Sequence, residues 1–412
     1  MLSPSTRKLF HFNPTCEMAV VNGQTSYMPP AHLKQFEHDL ATLPCFFGGK
    51  NDFVLVPETV DSYFTDYLCG LNFENPSFIT SVNDFSVSDK LDELSPWGWS
   101  PAIHKKLQPF LPFCNEEWLE HPMTQWKTEH ALLLSRETNY RFAKLLMEQN
   151  IREYELLEIP ALPLKVKTLE EIESLINIMP PPALLKSPWS ASGRGLFKIR
   201  DANEHAETNA WVKSKLKQQG FFFAEPFLQK IQDVSFHFYA TKNCIKFLGT
   251  TFFNTDTKGQ FISCNIRHPE NSNLKLDFIS EACKQASEFL KSGLGKLEIN
   301  KDYQGAIGID ALFFQTNDNG VKLHPCIEVN LRHTMGLLNI CIREKTHPER
   351  NGKWSIIKSS PKEWGNINIS DKHIMEDDFI THGNIALTPP PEKQNAFMVL
   401  LEMNKGVSKS LF

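Results

Sequence analysis

The stretch AIGIDALFFQTNDNGVKLHPCIEVN, residues 306–330, constrains this chain more than any other. Two apolar, strand-like runs flank TNDNG, a strong turn signal, so a β-hairpin is predicted. Side chains alternate between faces along a strand. A hairpin centred on Asn319 therefore sets Asp310 directly opposite Glu328 and leaves Asn330 on the same face as Glu328. Two carboxylates facing each other repel, and a divalent cation between them removes the conflict. All three candidate ligands are oxygen donors, which favours Mg²⁺ or Mn²⁺ over Zn²⁺. In that case, removing either acid should leave the metal-free protein as stable as before or slightly more so. A register slipped by one residue would instead send one acid to water.

Two further stretches carry candidate chemistry. In LLKSPWSASGRGLFKI a strand bearing Lys186 runs into a loop of small residues, 190–195, and a second strand follows. Serines and glycines let backbone N–H groups approach a phosphate closely, and Lys186 and Arg194 add positive charge. No GKS or GKT follows, so this is not a Walker A loop; an ordinary hairpin loop has the same composition. In FFFAEPFLQKIQDVSFHFY, Glu225 ends one apolar strand and Asp233 begins the next. Such acids can accept hydrogen bonds from an adenine amine and ribose hydroxyls, or they can be solvated turn residues.

Around these stretches the chain alternates irregularly between helical and extended patterns. Helices are predicted over residues 31–43, from a Ser135 N-cap through SRETNYRFAKLLMEQN, and from Thr168 with Glu171 completing a capping box. Another is expected with Asp201 as cap and Gly220 as stop, and one more over residues 280–291, closed by Gly293. FVLV, ALLKS, FFFAEPFL, VSFHFYA, CIKFLGTTFF and FMVLLEM read as strands, and the tail after about residue 340 reads as polar and irregular up to FMVLLEM. Mixed elements without strict alternation point to an α+β enzyme.

Bulk properties exclude several classes. The 43 Lys and Arg against 48 Asp and Glu give a net charge of −5, with no basic run. A nucleic-acid partner recognised by counterion release is not expected. The nine cysteines form no CxxC pair, which reads as reduced thiols in a cytoplasm. The N-terminus lacks a signal-peptide core, and no window approaches the ~20 apolar residues of a membrane helix. A cytoplasmic enzyme without a membrane partner is expected.

Taken in order, KSPWSASGRG, Glu225 with Asp233, and Asp310 with E-x-N at Glu328 and Asn330 resemble the ATP-grasp superfamily over roughly residues 130–340. The N-terminal phrases FNPTCEMAVVNG and PWGWSPAIHKKL resemble a group of bacterial ATP-grasp proteins. The resemblance implies two α+β subdomains clamping ATP, behind an N-terminal pre-ATP-grasp-like domain. It divides the chain into 1–134, 135–340 and a C-terminal extension, 341–412. Within the middle part, 164–227 would be a small lid and 228–340 the metal-bearing subdomain. It implies nucleotide contacts at Arg136, Lys186, Ser190, Ser192, Gly193, Gly195, Glu225, Phe227 and Asp233, Mg²⁺ or Mn²⁺ at Asp310, Glu328 and Asn330, and catalytic roles for Arg332 and Arg194. Asp233 departs from the family's usual ribose glutamate. The implied reaction is ATP-dependent joining of a small-molecule carboxylate, such as an amino acid or peptide, to an amine through an acyl phosphate. Phosphotransfer, or nucleotide binding without chemistry, are the other readings. His11, Glu17, Trp97 and Trp99 are candidates for substrate contact, each with a structural alternative; His333, beside Arg332, is another, although strand alternation would point it away.

Overall fold

Alternating short runs of apolar and polar residues build three main sheets, in a computed structural model that describes residues 7–86, 90–179, 181–190, 195–201, 204–269, 273–364 and 375–407. The first sheet is parallel. Lys8–His11 lies between Phe53–Leu55 and Glu93–Pro96, with Ser77–Ile79 outside. Helices and loops cover its faces, which is why its strands are short and apolar. The carboxyl ends of the neighbouring strands Lys8–His11 and Glu93–Pro96 lead into the helix Cys16–Asn22 and into the Trp97–Trp99 segment. Loops at strand carboxyl ends are where sheets of this kind present side chains to ligands.

The central sheet has eight antiparallel strands. Val321–Asn330 forms one edge, followed by Gly305–Gln315, Lys230–Ala240, Ile245–Thr255, Phe261–Asn265, Arg350–Ser359, Ala396–Val407 and Gly383–Ala386. Alternation sorts its residues. Val234, Phe236, Phe238, Ile309, Ala311 and Phe313 are buried in one core with Phe142, Leu146, Phe289 and Leu294 of the helices Arg136–Met147 and Leu276–Leu297. Asp233, Ser235, Asp310 and Glu328 occupy the other face, because Asp310 pairs with Ser235 on one side and with Glu328 on the other.

The third sheet is small and antiparallel: Leu164–Val166, Phe222–Pro226, Ala183–Lys186 and Leu196–Ile199. It has its own core, in which Leu185, Ile199, Phe222 and Ala224 meet Ile172, Leu175 and Val212 from the helices Leu169–Ile178 and Ala210–Gln219.

Several local expectations change. The helix expected to stop at Gly293 runs on to Leu297. A Cβ at Gly293 would stand 2.6 Å from Leu146 Cδ2, so this glycine lets two helices approach closely and is not a cap. The helix ended by Gly220 begins at Ala210, and its cap is Asn209, whose Oδ1 accepts from Trp211 N at 2.9 Å. Asp201 lies too far upstream to cap it, and Glu204 folds back onto Arg200 N instead. The polar tail after residue 340 contributes a short helix, Pro361–Trp364, and three strands of the central sheet. Arg350–Ser359 and Gly383–Ala386 read as polar because only one face is covered, with Trp354 and Ile385 inside, whereas Ala396–Val407 contains the FMVLLEM strand expected there.

Candidate functional site

The hairpin of residues 305–330 turns one residue earlier than expected. Gln315 pairs with Val321 and Leu312 with His324, which centres the turn on Asp318. Left to run, that register would carry Glu328 past Asp310. Pro325 lacks the N–H that an edge-strand ladder can spare. Around it a bulge of Pro325, Cys326 and Ile327 stands opposite Ala311 alone and shifts the pairing by two residues. Asp310 then faces Glu328, and Gly308 faces Asn330.

Asp310 and Glu328 line one cleft, and Asn330 lines a smaller cavity that Glu328 also borders. Asn330 donates from Nδ2 to Asp310 Oδ2 at 3.0 Å, and Arg332 donates from Nη2 to Asn330 Oδ1 at 3.0 Å. Burial, then the Glu328 carboxylate, pushes Asp310 up to about 7. An acid raised this far beside a second acid is the electrostatic condition a cation would relieve, and Asp310, Glu328 and Asn330 offer it oxygen ligands only. Among the described residues no group of three or more His, Cys, Asp or Glu side chains is placed to hold a metal, so any such site here has two carboxylates and one amide. Two guanidinium groups already stand beside them. Arg136 Nη2 donates to Glu328 Oε1 at 2.8 Å, while its Nη1 reaches Ser187 O at 2.5 Å and Ser190 Oγ at 2.7 Å. Arg136 thereby ties the start of the 190–195 loop to the hairpin. Arg332 Nε donates to Glu17 Oε1 at 2.5 Å, an ion pair between positions 315 residues apart. Burial opposes the Arg332 charge, but the Glu17 carboxylate more than offsets it and holds the guanidinium firmly protonated.

The cleft lined by Asp310 and Glu328, about 750 Å³, lies between the central and small sheets. Lys186 ion-pairs with Glu225 across neighbouring strands and donates to Ile327 O at 3.3 Å. Asp233 accepts from Lys230 Nζ at 2.5 Å and from Thr255 Oγ1 at 3.0 Å, and burial raises its pKa in spite of Lys230. Phe227 is exposed on the cleft wall with Lys198 Nζ 3.4 Å from its ring centre. Gly195 closes the loop tightly, since a Cβ there would lie 2.2 Å from Ser187 Oγ and from Ser190 Oγ. Ser192, Gly193 and Arg194 lie outside the described residues.

The remaining candidates divide. Glu17 and Trp99 line a small cavity with Arg136, Asn330 and Arg332. Trp97 packs edge-on against Phe12, His11 Nδ1 meets Leu55 O at 2.8 Å, and His333 Nδ1 meets Pro96 O at 3.1 Å, all inside the core and away from the cleft. The sequence reading passed over Lys230 and His324, both of which line the cleft. Lys230 could have been found as the basic residue three before Asp233; nothing local marks His324. No helix among the described residues is long and apolar enough to cross a membrane.

No family model matches the sequence, and no curated protein matches it either. Solved structures do match. The ADP complex of an N5-carboxyaminoimidazole ribonucleotide synthetase aligns over 99% of this chain and 94% of its own, at 11% identity and a TM-score of 0.50. A Staphylococcus aureus N5-carboxyaminoimidazole synthetase covers 98% of this chain and 95% of its own at 12% identity and TM-score 0.49. The phosphoribosylamine–glycine ligase of Thermotoga maritima covers 98% and 93% at 13% identity and TM-score 0.49. The class that the architecture defines is α+β, with two sheets closing on a cleft behind a parallel N-terminal sheet. It is the ATP-grasp fold, and the first of these likenesses shows it over nearly the whole chain.

Proposed function

We propose that this protein is an ATP- and Mg²⁺-dependent ligase that activates a small-molecule carboxylate as an acyl phosphate and joins it to an amine. The observation that carries the reading is the facing pair Asp310 and Glu328, with Asn330 beside it, on the floor of a cleft whose far end holds Lys186, Glu225 and Asp233. The synthetase of like fold is an ADP complex. In this reading Glu225 accepts from the adenine amine, Asp233 from the ribose, and Lys186 neutralises phosphate charge. Asp310, Glu328 and Asn330 would hold Mg²⁺, which when bound offsets charge on the transferred phosphoryl group. Arg332, held by Glu17 and Asn330, would stabilise charge on an acyl phosphate. In the same reading the subdomain of residues 164–227 is the lid, with 228–340 beneath it. Residues 1–134 supply substrate contacts through Glu17 and Trp99, and 341–412 complete the central sheet. Orientation and charge stabilisation suffice, so no nucleophilic side chain is needed.

The test is an ATP-consumption screen against paired carboxylates and amines, amino acids and short peptides included. Ligation releases ADP and free phosphate, whereas phosphotransfer leaves phosphate on the acceptor. The melting temperature should rise with ATP and Mg²⁺. A response to NAD with none to ATP or ADP would overturn the proposal.

A further inference from the structure

The bulge that restores the Asp310–Glu328 register also turns a histidine into the cleft. His324 is the last residue paired before the bulge, opposite Leu312, and both line the cleft with Lys186 and Glu225. Its Nδ1 meets the backbone N–H of Cys326 at 3.3 Å. A backbone N–H can only donate, so Nδ1 is the acceptor and the ring proton sits on Nε2. Burial, and then the Lys186 ammonium, holds the ring neutral, with a pKa lowered to about 3. Among the described residues Nε2 has no hydrogen-bond partner, although the residue is only 9% exposed. The cleft wall therefore presents a carboxylate acceptor at Glu225 and a fixed N–H donor at His324, with Lys186 held near both by Glu225 and by Ile327 O.

The geometry points to His324 as a base-reading residue, donating from Nε2–H to a ring nitrogen of a bound 6-aminopurine nucleotide. A base edge that complements this wall carries an exocyclic amine for Glu225 next to an unprotonated ring nitrogen for His324. Adenine has that pairing on both sides of its amine, at N1 and at N7. Uracil offers neither an exocyclic amine nor an unprotonated ring nitrogen on its edge, and guanine turns an oxygen toward the carboxylate, leaving a buried polar group unmatched. The same bulge thus sets the spacing of the acidic pair, lends a carbonyl to Lys186 and fixes the tautomer of the histidine. Any residue without an acceptor at the Nδ1 position would leave Cys326 N–H unpaired.

This inference rests on the nucleotide reading above, and the experiment separates the two. Binding of ADP, 1-deaza-ADP, 7-deaza-ADP and UDP is measured by calorimetry for the wild type, His324→Leu and His324→Gln, with melting curves to confirm that each is folded. A glutamine amide can place an N–H where Nε2–H stood. His324→Leu should weaken ADP about tenfold, the worth of one hydrogen bond to a neutral acceptor, and His324→Gln should recover most of that loss. One of the two deaza analogues should bind the wild type about tenfold more weakly than ADP and lose nothing more on His324→Leu. Equal ADP affinity in the wild type and His324→Leu, or further loss of both deaza analogues on that variant, overturns the assignment. A wild type that binds no adenine nucleotide at all overturns the nucleotide reading instead.

Discussion

The two ends of the cleft handle their acids differently. At the Lys186 end each carboxylate has a cation close by: Glu225 pairs with Lys186 from the adjacent strand, and Asp233 with Lys230 three residues away. At the hairpin end two carboxylates face each other; one cation comes from afar, and the other, Arg332, is local but is held by a distant acid. Arg136 arrives from a helix 192 positions before Glu328, and Glu17 of the N-terminal domain fixes Arg332. The first end is electrostatically closed within its own strands. The second is closed only when the helices bearing Glu17 and Arg136 meet the hairpin, and it retains an acid, Asp310, with a pKa raised to about 7. Local pairs hold a binding surface in shape, whereas unbalanced charge marks the place where a ligand charge belongs.

The largest break in this contrast should come at the hairpin end. Asp310→Asn and Glu328→Gln should each lower ATP turnover about a thousandfold, since both would remove a ligand to the cation at the phosphates. Their stabilities should part. Asp310→Asn removes the strained acid and should not lower the metal-free melting temperature. Glu328→Gln leaves Arg136, only 5% exposed, without its carboxylate and should destabilise by about 1–3 kcal/mol. The sequence alone suggested equal behaviour for the two; Arg136 is the reason they differ. Loss of turnover that merely follows unfolding in both variants would remove the metal assignment.

At the other end, Lys186→Ala should weaken ADP binding about a hundredfold, through a lost phosphate contact and an unpaired Glu225. Calorimetry with ADP reads this directly, and an unchanged affinity would detach Lys186 from the nucleotide.

A pH series sharpens the comparison next. Asp310 titrates near 7 in the folded chain and near the usual carboxylate value of about 3.9 when unfolded. The folded state therefore holds this proton more tightly, and the stability it confers in acid is lost as pH rises from about 4 through 7. Asp310 keeps an edge open to the cleft, so the loss should be about 2 kcal/mol, less than the full shift implies. Between pH 5 and pH 8 the metal-free wild type should lose that much relative to Asp310→Asn, measured by denaturant unfolding; parallel curves would contradict it.

The smallest effect expected is at Glu17. Glu17→Gln loosens Arg332 without touching the Lys186 end, so turnover should fall about tenfold while ADP affinity holds. A matched fall in both would make Glu17 a general fold contact.

Much of the site is legible in the sequence because its parts are local. Alternation and the TNDNG turn put Asp310, Glu328 and Asn330 on one face, and apolar runs mark most strands that carry the other candidates. The turn itself is misplaced by one residue in that reading, and the facing pair survives only because a bulge of the opposite sense compensates. A bulge is chosen by packing on both sides of a strand, which Pro325 hints at but cannot specify.

By itself the sequence determined which residues are strand, helix and turn over most of the chain, and which oxygen donors share a face, since these follow from periods of two and 3.6 residues. Tertiary structure alone decided which arginine neutralises which acid. It also decided that Gly293 is a helix contact, that the polar C-terminal segment completes the central sheet, and that His324 lines the cleft. Each of these depends on partners tens to hundreds of positions away. Burial and charge pairing act through distance in space, on which spacing along the chain is silent.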